Sequence, residues 1–198
     1  MNELPWSQSE ELKRVRRVAD MLCTGHAMLR DRYTRRALLL DLFTLAFSTW
    51  VVALAFVGPS IAKALTPFGW GPTIWLGVLS SGTFFLTLVQ LKTDWKSRAD
   101  AHKRTLDLYA EVKREAGYLL ASQEWDDAGY RRVLARYDLA SAVGMAIPES
   151  DFLSMKKRHK LKVALSKVLD DAPGSSVVLL RLRFWIRDNL RRKQNGTR

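Results

Sequence analysis

The sequence predicts an all-α membrane protein, in which a two-transmembrane helical hairpin carries long cytoplasmic helical extensions and a C-terminal helical region. The first observation is that charge is nearly absent from residues 37–91, although the 198-residue chain has 32 Lys and Arg against 20 Asp and Glu and a net charge of +12. The second is that residues 37–57 and 73–91 are long apolar runs. Roughly 20 apolar residues in a helix cross the hydrocarbon of a bilayer.

Residues 58–72 separate the two runs and predict an external loop. A Gly-Pro pair stands at each end of this segment, and both residue types end helices. Basic residues crowd the flanking regions, 1–36 and 92–198, whereas the loop contains only Lys63. Because cytoplasmic flanks are enriched in Lys and Arg, we expect both termini on the cytoplasmic side of the membrane.

The flanking regions predict helices that project from the membrane and pack together. Residues 7–36 place apolar side chains at alternating spacings of three and four, which is typical of a coiled-coil seam. A second helix, from about residue 93 to 122, has a matching face. Core packing is the first interpretation of the seam histidines, and a pH switch is the alternative. The candidate seam residues are His26, Tyr33, His102 and Tyr109.

Three more helices are predicted in the C-terminal region. The apolar pattern places two of them at 127–143 and 150–169, separated by Pro148. The last, residues 177–194, reads as a basic amphipathic helix suited to an anionic membrane surface or to packing on the other helices. Residues 180–184 also alternate like a strand, which is the competing interpretation.

Small and polar residues recur on one face of each apolar run. Hydroxyl and amide side chains at helical spacing suit either helix–helix packing or the lining of a water path between several chains. Two helices alone cannot enclose an aqueous pore, so the second interpretation requires a homo-oligomer. The candidate residues are Asp41, Thr44, Ser48, Gly77, Ser80, Ser81, Thr83, Thr87 and Gln90.

Asp41 is the only charged residue inside the two runs. A carboxylate at the centre of a bilayer costs about 3 kcal/mol, and Asp41 lies near the basic end of its run, where the cost is smaller. We expect it to pair with Arg35, Arg36 or a residue at the inner end of the second run. A functional carboxylate at a pore mouth is the alternative.

No motif of known catalytic chemistry occurs in the sequence. A phosphate-binding glycine loop, a dinucleotide fingerprint, a zinc-protease helix and a paired CxxC are all missing. The sequence therefore predicts no enzyme, no cofactor and no metal site.

A basic cluster, KKRHKLK, lies in the 150–169 helix. A solvated or lipid-facing surface is the first interpretation, and a site for an anionic nucleotide or for nucleic acid is the alternative; we expect no sequence-specific nucleic-acid binding. The candidate anion or lipid contacts are Lys156, Lys157, Arg158, Lys160 and Lys162.

Three segments resemble the SLATT family of bacterial two-transmembrane effector domains. They are HAMLRDRYTRRALLL at 26–40, SRADAHKRTLDLYAEVKREAGYLL at 97–120, and YRRVLARYDLASAVGMAIPESDF at 130–152. The resemblance covers about residues 8–170 and rests on helical patterns without a catalytic signature.

The resemblance implies an oligomeric, pore-forming membrane effector of an anti-phage conflict system. Such effectors permeabilise the inner membrane on a cytoplasmic signal, and the cell dies or arrests. The lipid bilayer and further copies of the chain are the expected partners, with a nucleotide second messenger or a sensor protein as the source of the signal. The alternative is a membrane-anchored adaptor or receptor that conducts nothing and binds a partner through its cytoplasmic helices.

Overall fold

The computed structural model of the chain describes residues 6–122 and 126–195. These residues form seven α-helices and a short 3-10 turn, with no strand among them, and the all-helical prediction is confirmed. Three stretches of the predicted cytoplasmic regions lie outside the described residues: 1–5, 123–125 and 196–198.

The first helix, α1 (Trp6–Phe56), is continuous over 51 residues, or about 75 Å. It contains no proline and only one glycine, Gly25, so nothing in its sequence interrupts the backbone hydrogen-bond ladder. It ends just before Gly58-Pro59, where proline cannot continue a helix. The predicted N-terminal helix and the first apolar run therefore form one continuous helix.

The predicted loop 58–72 is partly helical. It contains α2 (Pro59–Ala64) and a 3-10 turn at Pro67–Gly69. Each begins on a proline, whose fixed φ suits the first helical position. Ala62 packs between Leu54 and Leu79, which fastens the loop to the tip of the hairpin.

Two helices run back along α1 in sequence. They are α3 (Pro72–Thr93) and α4 (Trp95–Ala121), and only Asp94 separates them. Asp94 has a left-handed backbone, with φ 42° and ψ 50°, which Asp tolerates better than most residues. The apolar half of α1 therefore pairs with α3 and its charged half with α4.

The hairpin of α1 and α3 leaves a broad apolar surface uncovered. Both α1 and the α3–α4 segment are long and apolar enough to cross a membrane, and only 17 % and 6 % of their most apolar stretches are buried. Phe56 is 87 % exposed, for example, and Phe85 64 %. A core helix of a soluble protein would bury such residues, so this surface is available to lipid or to further copies.

Helices α5 (Asp127–Val143) and α6 (Glu149–Asp171) complete the charged half of the molecule. The first packs on α4 and the second on α1. Asp151 anchors α6 through both carboxylate oxygens, which accept from Arg32 Nη1 at 2.8 and 2.9 Å. His159 then lies 3.2 Å from Thr24 Oγ1, so α6 runs antiparallel to α1.

The main hydrophobic core lies where α1, α4 and α5 meet. Leu12, Val15 and Ala19 of α1 are at most 1 % exposed, as the seam pattern predicts. They contact a complementary face on the other two helices. That face consists of Tyr109, Val112, Ala116, Val133 and Ala140.

The last helix, α7 (Val177–Asn195), is attached to the rest of the protein mainly by a slight contact with α6. It is a helix and not a strand, as its amphipathic pattern favoured. Leu179 and Trp185 on it are 67 % and 61 % exposed. Its apolar face is therefore largely uncovered.

Gly25 sets the close approach of α6 to α1. A Cβ at this position would overlap the side chain of Met155 and lie 2.9 Å from Ile147 Cδ1. We expect Gly25→Val to push α6 away and to lower the stability of the protein by about 1–3 kcal/mol, the usual cost of overpacking. The thermal midpoint of helix loss, followed by circular dichroism in detergent, measures the effect.

Gly117→Val is the matched control. It introduces the same residue into a helix, but a Cβ there would be 3.7 Å from the nearest side-chain atoms, which belong to Arg16. Both variants gain similar helix propensity, because Val is a better helix former than Gly, so an equal change in the two midpoints would show that Gly25 has no special packing role.

Candidate functional site

A polar cluster around Asp41 closes the end of the hairpin where α3 meets α4. Asp41 Oδ1 accepts a hydrogen bond from Gln90 Nε2 at 2.8 Å, and Asp41 Oδ2 lies 2.8 Å from Lys96 Nζ. The Asp41 carboxylate therefore pairs with Gln90, at the inner end of the second run, and with Lys96, just beyond that run. It does not pair with Arg35 or Arg36, the other partners expected from the sequence. Both of its oxygens are used.

The break at Asp94 places these partners on two different helices. Gln90 belongs to the last turn of α3 and Lys96 to the first turn of α4. The Asp94 side chain caps α4 by accepting from the Ser97 backbone N–H at 3.3 Å. Asp41 thus ties both sides of the break to the continuous helix α1.

Two further features surround this cluster. The Arg36 guanidinium lies 6.0 Å from the centre of the Trp95 ring, a second link between α1 and α4 at the same level. A cavity of about 450 Å³ opens beside Asp41, and Ala37 and Leu40 form part of its wall. The carboxylate therefore faces a space that is polar on one side and apolar on the other.

The hydroxyl groups near the helix–helix contact bond to their own helices. Thr44 Oγ1 donates to the Leu40 carbonyl and Thr83 Oγ1 to the Leu79 carbonyl, both at 2.9 Å. Both threonines and Ser48 are half-buried between α1 and α3. Within a single chain these positions suit helix packing, and the choice between the two predicted roles stays a prediction.

The remaining candidates on α3 face outward. Gly77, Ser80, Ser81 and Thr87 are all exposed. Thr87 Oγ1 donates to the Thr83 carbonyl at 2.9 Å, whereas the hydroxyls of Ser80 and Ser81 have no hydrogen-bond partner within the described chain. A row of small and hydroxyl residues, hereafter the outer face of α3, is therefore left open by the chain itself.

Close approach of the two hairpin helices occurs at Gly82. A Cβ there would be 3.5 Å from the Phe47 ring, while nothing lies within 4 Å of a Cβ at Gly77. Of the predicted pair of small residues, Gly77 thus has no close neighbour among the described residues, and Ser81 is exposed.

The seam histidines meet in the middle of the α1–α4 contact. His26 Nδ1 and His102 Nδ1 are 3.0 Å apart, and both residues are 1 % exposed. Tyr109 stacks on His26 with ring centres 5.8 Å apart, and Tyr33 stacks on His102 at 5.6 Å. All four candidate seam residues therefore belong to one aromatic stack, in which Tyr33 is half-buried and the other three are buried.

Burial and the neighbouring His102 lower the pKa of His26 to about 4. Burial also lowers the pKa of His102. Both rings are thus neutral near pH 7, and one must donate and the other accept in their shared hydrogen bond. No group of three or more His, Cys, Asp or Glu side chains within the described ranges is placed to hold a metal ion.

The basic cluster of α6 lies on the surface. All five of its candidate residues, Lys156, Lys157, Arg158, Lys160 and Lys162, are exposed. Three of them line a groove that α1, α6 and α7 share. The structure therefore leaves the whole cluster open to a partner.

Several residues of these sites carry no clear signal in the sequence. Lys96 counts only as one of several basic residues after the second run, and its role depends on the turn at Asp94. Thr105 is 3 % exposed and accepts from the Met145 backbone N–H at 2.9 Å, which joins α4 to the chain after α5. Neither contact follows from helical spacing.

No protein-family model, curated protein or solved structure matches the chain.

Proposed function

We propose that the chain is a subunit of an oligomeric pore-forming membrane effector. Several hairpins assemble in a membrane, and a signal received by the cytoplasmic helices rearranges them around a polar path. The observation that carries this proposal is the outer face of α3, because hydroxyl groups in an otherwise apolar helix are left uncovered by the chain.

The cost of exposing this face to lipid favours assembly. A hydroxyl without a partner is unfavourable in hydrocarbon, and Ser80 and Ser81 have none within the described chain. Gly77 adds a position where a second backbone can approach closely. Contact with another copy, or water between several copies, supplies the missing partners.

The distribution of charged and aromatic residues supports a transmembrane arrangement. Basic residues lie beside the Asp41 end of the hairpin, where a cytoplasmic flank is expected to carry them. The opposite end holds a cluster in which Trp75 lies 5.7 Å from both Trp50 and Trp70, measured between ring centres. Trp is favoured at the membrane–water interface, so this end fits the outer surface.

The connections around Asp41 supply a route for the signal. A movement of α4 along α1 pulls on the Lys96–Asp41 ion pair, and the turn at Asp94 lets α3 respond separately. The resting state is then the one with the Asp41 cluster intact, and opening separates the carboxylate from Gln90 or Lys96.

The SLATT resemblance supports the biological setting of the proposal. It implies an effector of the bacterial inner membrane, where permeabilisation kills or arrests an infected cell. A nucleotide second messenger or a sensor protein would deliver the signal. Opening a pore requires no catalytic residue in this chain.

We expect Ser80→Leu/Thr87→Leu to lower ion flux by about tenfold or more, because two bulky apolar side chains dewet a narrow polar path. The measurement is dye-reported ion flux into liposomes that contain the purified protein, together with depolarisation of bacteria that express it.

Phe85→Leu/Leu88→Val is the control, since both residues are exposed on α3 but are already apolar. If the hydroxyl and control variants conduct as well as the wild type, the outer face of α3 does not line the path.

A non-conducting adaptor is the second candidate function, favoured by the large uncovered surface of α6 and α7. Replacing residues 37–57 and 73–91 with unrelated transmembrane segments separates the two functions. An adaptor keeps its cellular effect after this exchange, whereas a pore loses it.

A further inference from the structure

A groove of about 810 Å³ lies between α1, α6 and α7. Five cationic side chains from the three helices surround it, and Asp and Glu do not occur among its lining residues in the described part of the chain. The cations are Arg35 of α1, Lys157, Arg158 and Lys162 of α6, and Arg181 of α7.

None of these five cations forms a direct ion pair with a carboxylate among residues 8–122 and 126–190, although Lys162 is near enough to Asp20 to help lower the pKa of that carboxyl. Basic residues elsewhere on α1 and on α4 do find partners. Arg32 binds Asp151 at 2.8 Å, and Lys113 lies 2.6 Å from Asp20. Like charges gathered around one space repel one another, and a bound anion removes that repulsion.

The groove is also lined by hydroxyl and apolar side chains, which the binding of a simple inorganic anion would not require. Hydroxyls of Ser154 and Ser166 lie along its wall and can donate to phosphate oxygens, whereas the Thr24 hydroxyl already donates to the Asp20 carbonyl. Leu161 and Leu165 supply an apolar surface. Its volume falls within the range of small-molecule sites, which combine an apolar lining with a few polar groups.

We infer that this groove binds a small molecule with two or more phosphate groups. Guanidinium and ammonium groups converging from three helices suit several phosphate oxygens at once, and Arg can bind each phosphate through two hydrogen bonds. The ligand can be a free nucleotide or the headgroup of a phosphorylated lipid, because Arg35 lies close to the first apolar run. The inference does not require the hairpin to conduct ions.

Binding has a structural consequence for α7. This helix makes only a slight contact with α6, and a phosphate held by both Arg181 and Lys157 would fasten it there. Amide hydrogen exchange in residues 177–190 should therefore slow when the ligand is present.

The test uses the full chain in nanodiscs of phosphatidylcholine, with ATP and pyrophosphate as probes in titration calorimetry at physiological ionic strength. We expect saturable binding to the wild type. Lys157→Gln/Arg158→Gln/Arg181→Gln should weaken it by about tenfold or more, since three charge-assisted contacts are lost.

Lys103→Gln/Arg104→Gln/Arg132→Gln is the matched control. It removes the same number of exposed cations that lack ion pairs, but from α4 and α5, away from the groove. Its affinity should stay within about twofold of the wild type, because distant surface charges are screened by salt. Arg181→Gln alone, expected to weaken binding severalfold, replaces the triple variant if that protein does not fold.

A second arm adds cardiolipin, which carries two phosphates, to the nanodiscs. If the lipid displaces ATP from the wild type, and native mass spectrometry finds less bound cardiolipin on the triple variant, the ligand is a headgroup. If ATP binding persists, the ligand is a free molecule. The inference is overturned if no probe binds, or if the groove and control variants weaken binding equally.

Discussion

Acidification from about pH 7 to about pH 4.5 is expected to destabilise the α1–α4 contact by about 2 kcal/mol through His26 alone. The pKa of His26 is about 4 in the folded protein, against an ordinary value of 6.5. In that pH range the unfolded chain binds a proton that the folded chain excludes. The α1–α4 contact therefore has its full stability above about pH 6.5. Part of that stability is lost as the pH falls toward 4.

The thermal midpoint of helix loss measures this effect, and we expect it to fall by about 5 °C over the same pH range. In His26→Leu/His102→Leu both rings are removed together, so neither nitrogen is left without its partner, and the dependence on pH should flatten. His159→Leu removes a histidine outside the stack and should retain the dependence. If the double variant loses as much stability on acidification as the wild type, the stack is not the cause.

Helical periodicity is a local property of sequence, and it explains which parts of the fold were predictable. The helix α5 has the predicted bounds, Asp127–Val143, because apolar spacing and a nearby Pro148 define it within about twenty residues. The seam of α1 buries Leu12 and Leu29 completely for the same reason. Such patterns need no knowledge of the partner helix.

The rotation of the hairpin helices could not be predicted in the same way. A helix whose only polar side chains are small hydroxyls and one amide has no charged face to point away from its partner, so shape decides which side is buried. Here the Phe47 ring fits against Gly82, and this contact turns Gly77 and Ser81 outward. The sequence identified the small residues without indicating which of them the chain itself uses.

Contacts that depend on a turn or on segments far apart in the chain could not be predicted from the sequence either. The left-handed backbone of Asp94 directs Lys96 toward Asp41, and nothing in the spacing of α4 indicates this direction. The basic groove likewise requires Arg35 and Arg181, which lie far apart in the chain, beside the cluster on α6. The sequence alone identified the cluster on α6 but not the groove that three of its residues line.

Loss of the Asp41 carboxylate should have the largest effect on the hairpin. Asp41→Ala removes a hydrogen bond to Gln90 and an ion pair with Lys96 at once, and we expect α1 and α3 to be destabilised at this end by about 2 kcal/mol. Under the proposed function this raises the population of separated hairpins about thirtyfold. Resting ion flux into liposomes should increase accordingly, without any activating signal.

Asp31→Ala is the control, since the one ion pair of Asp31 among the described side chains is with the adjacent Arg30 on the same helix and should contribute little. Asp41→Asn should fall between the wild type and Asp41→Ala, because the amide oxygen can still accept from Gln90 while the ion pair is lost. Adding Lys96→Gln to Asp41→Asn should then cost little more, which a double-mutant cycle measures directly.

Unchanged stability and flux in Asp41→Ala would refute the role of the cluster. A loss of stability without added flux would instead mean that the hairpin is held together at Asp41 but does not conduct, which favours the adaptor.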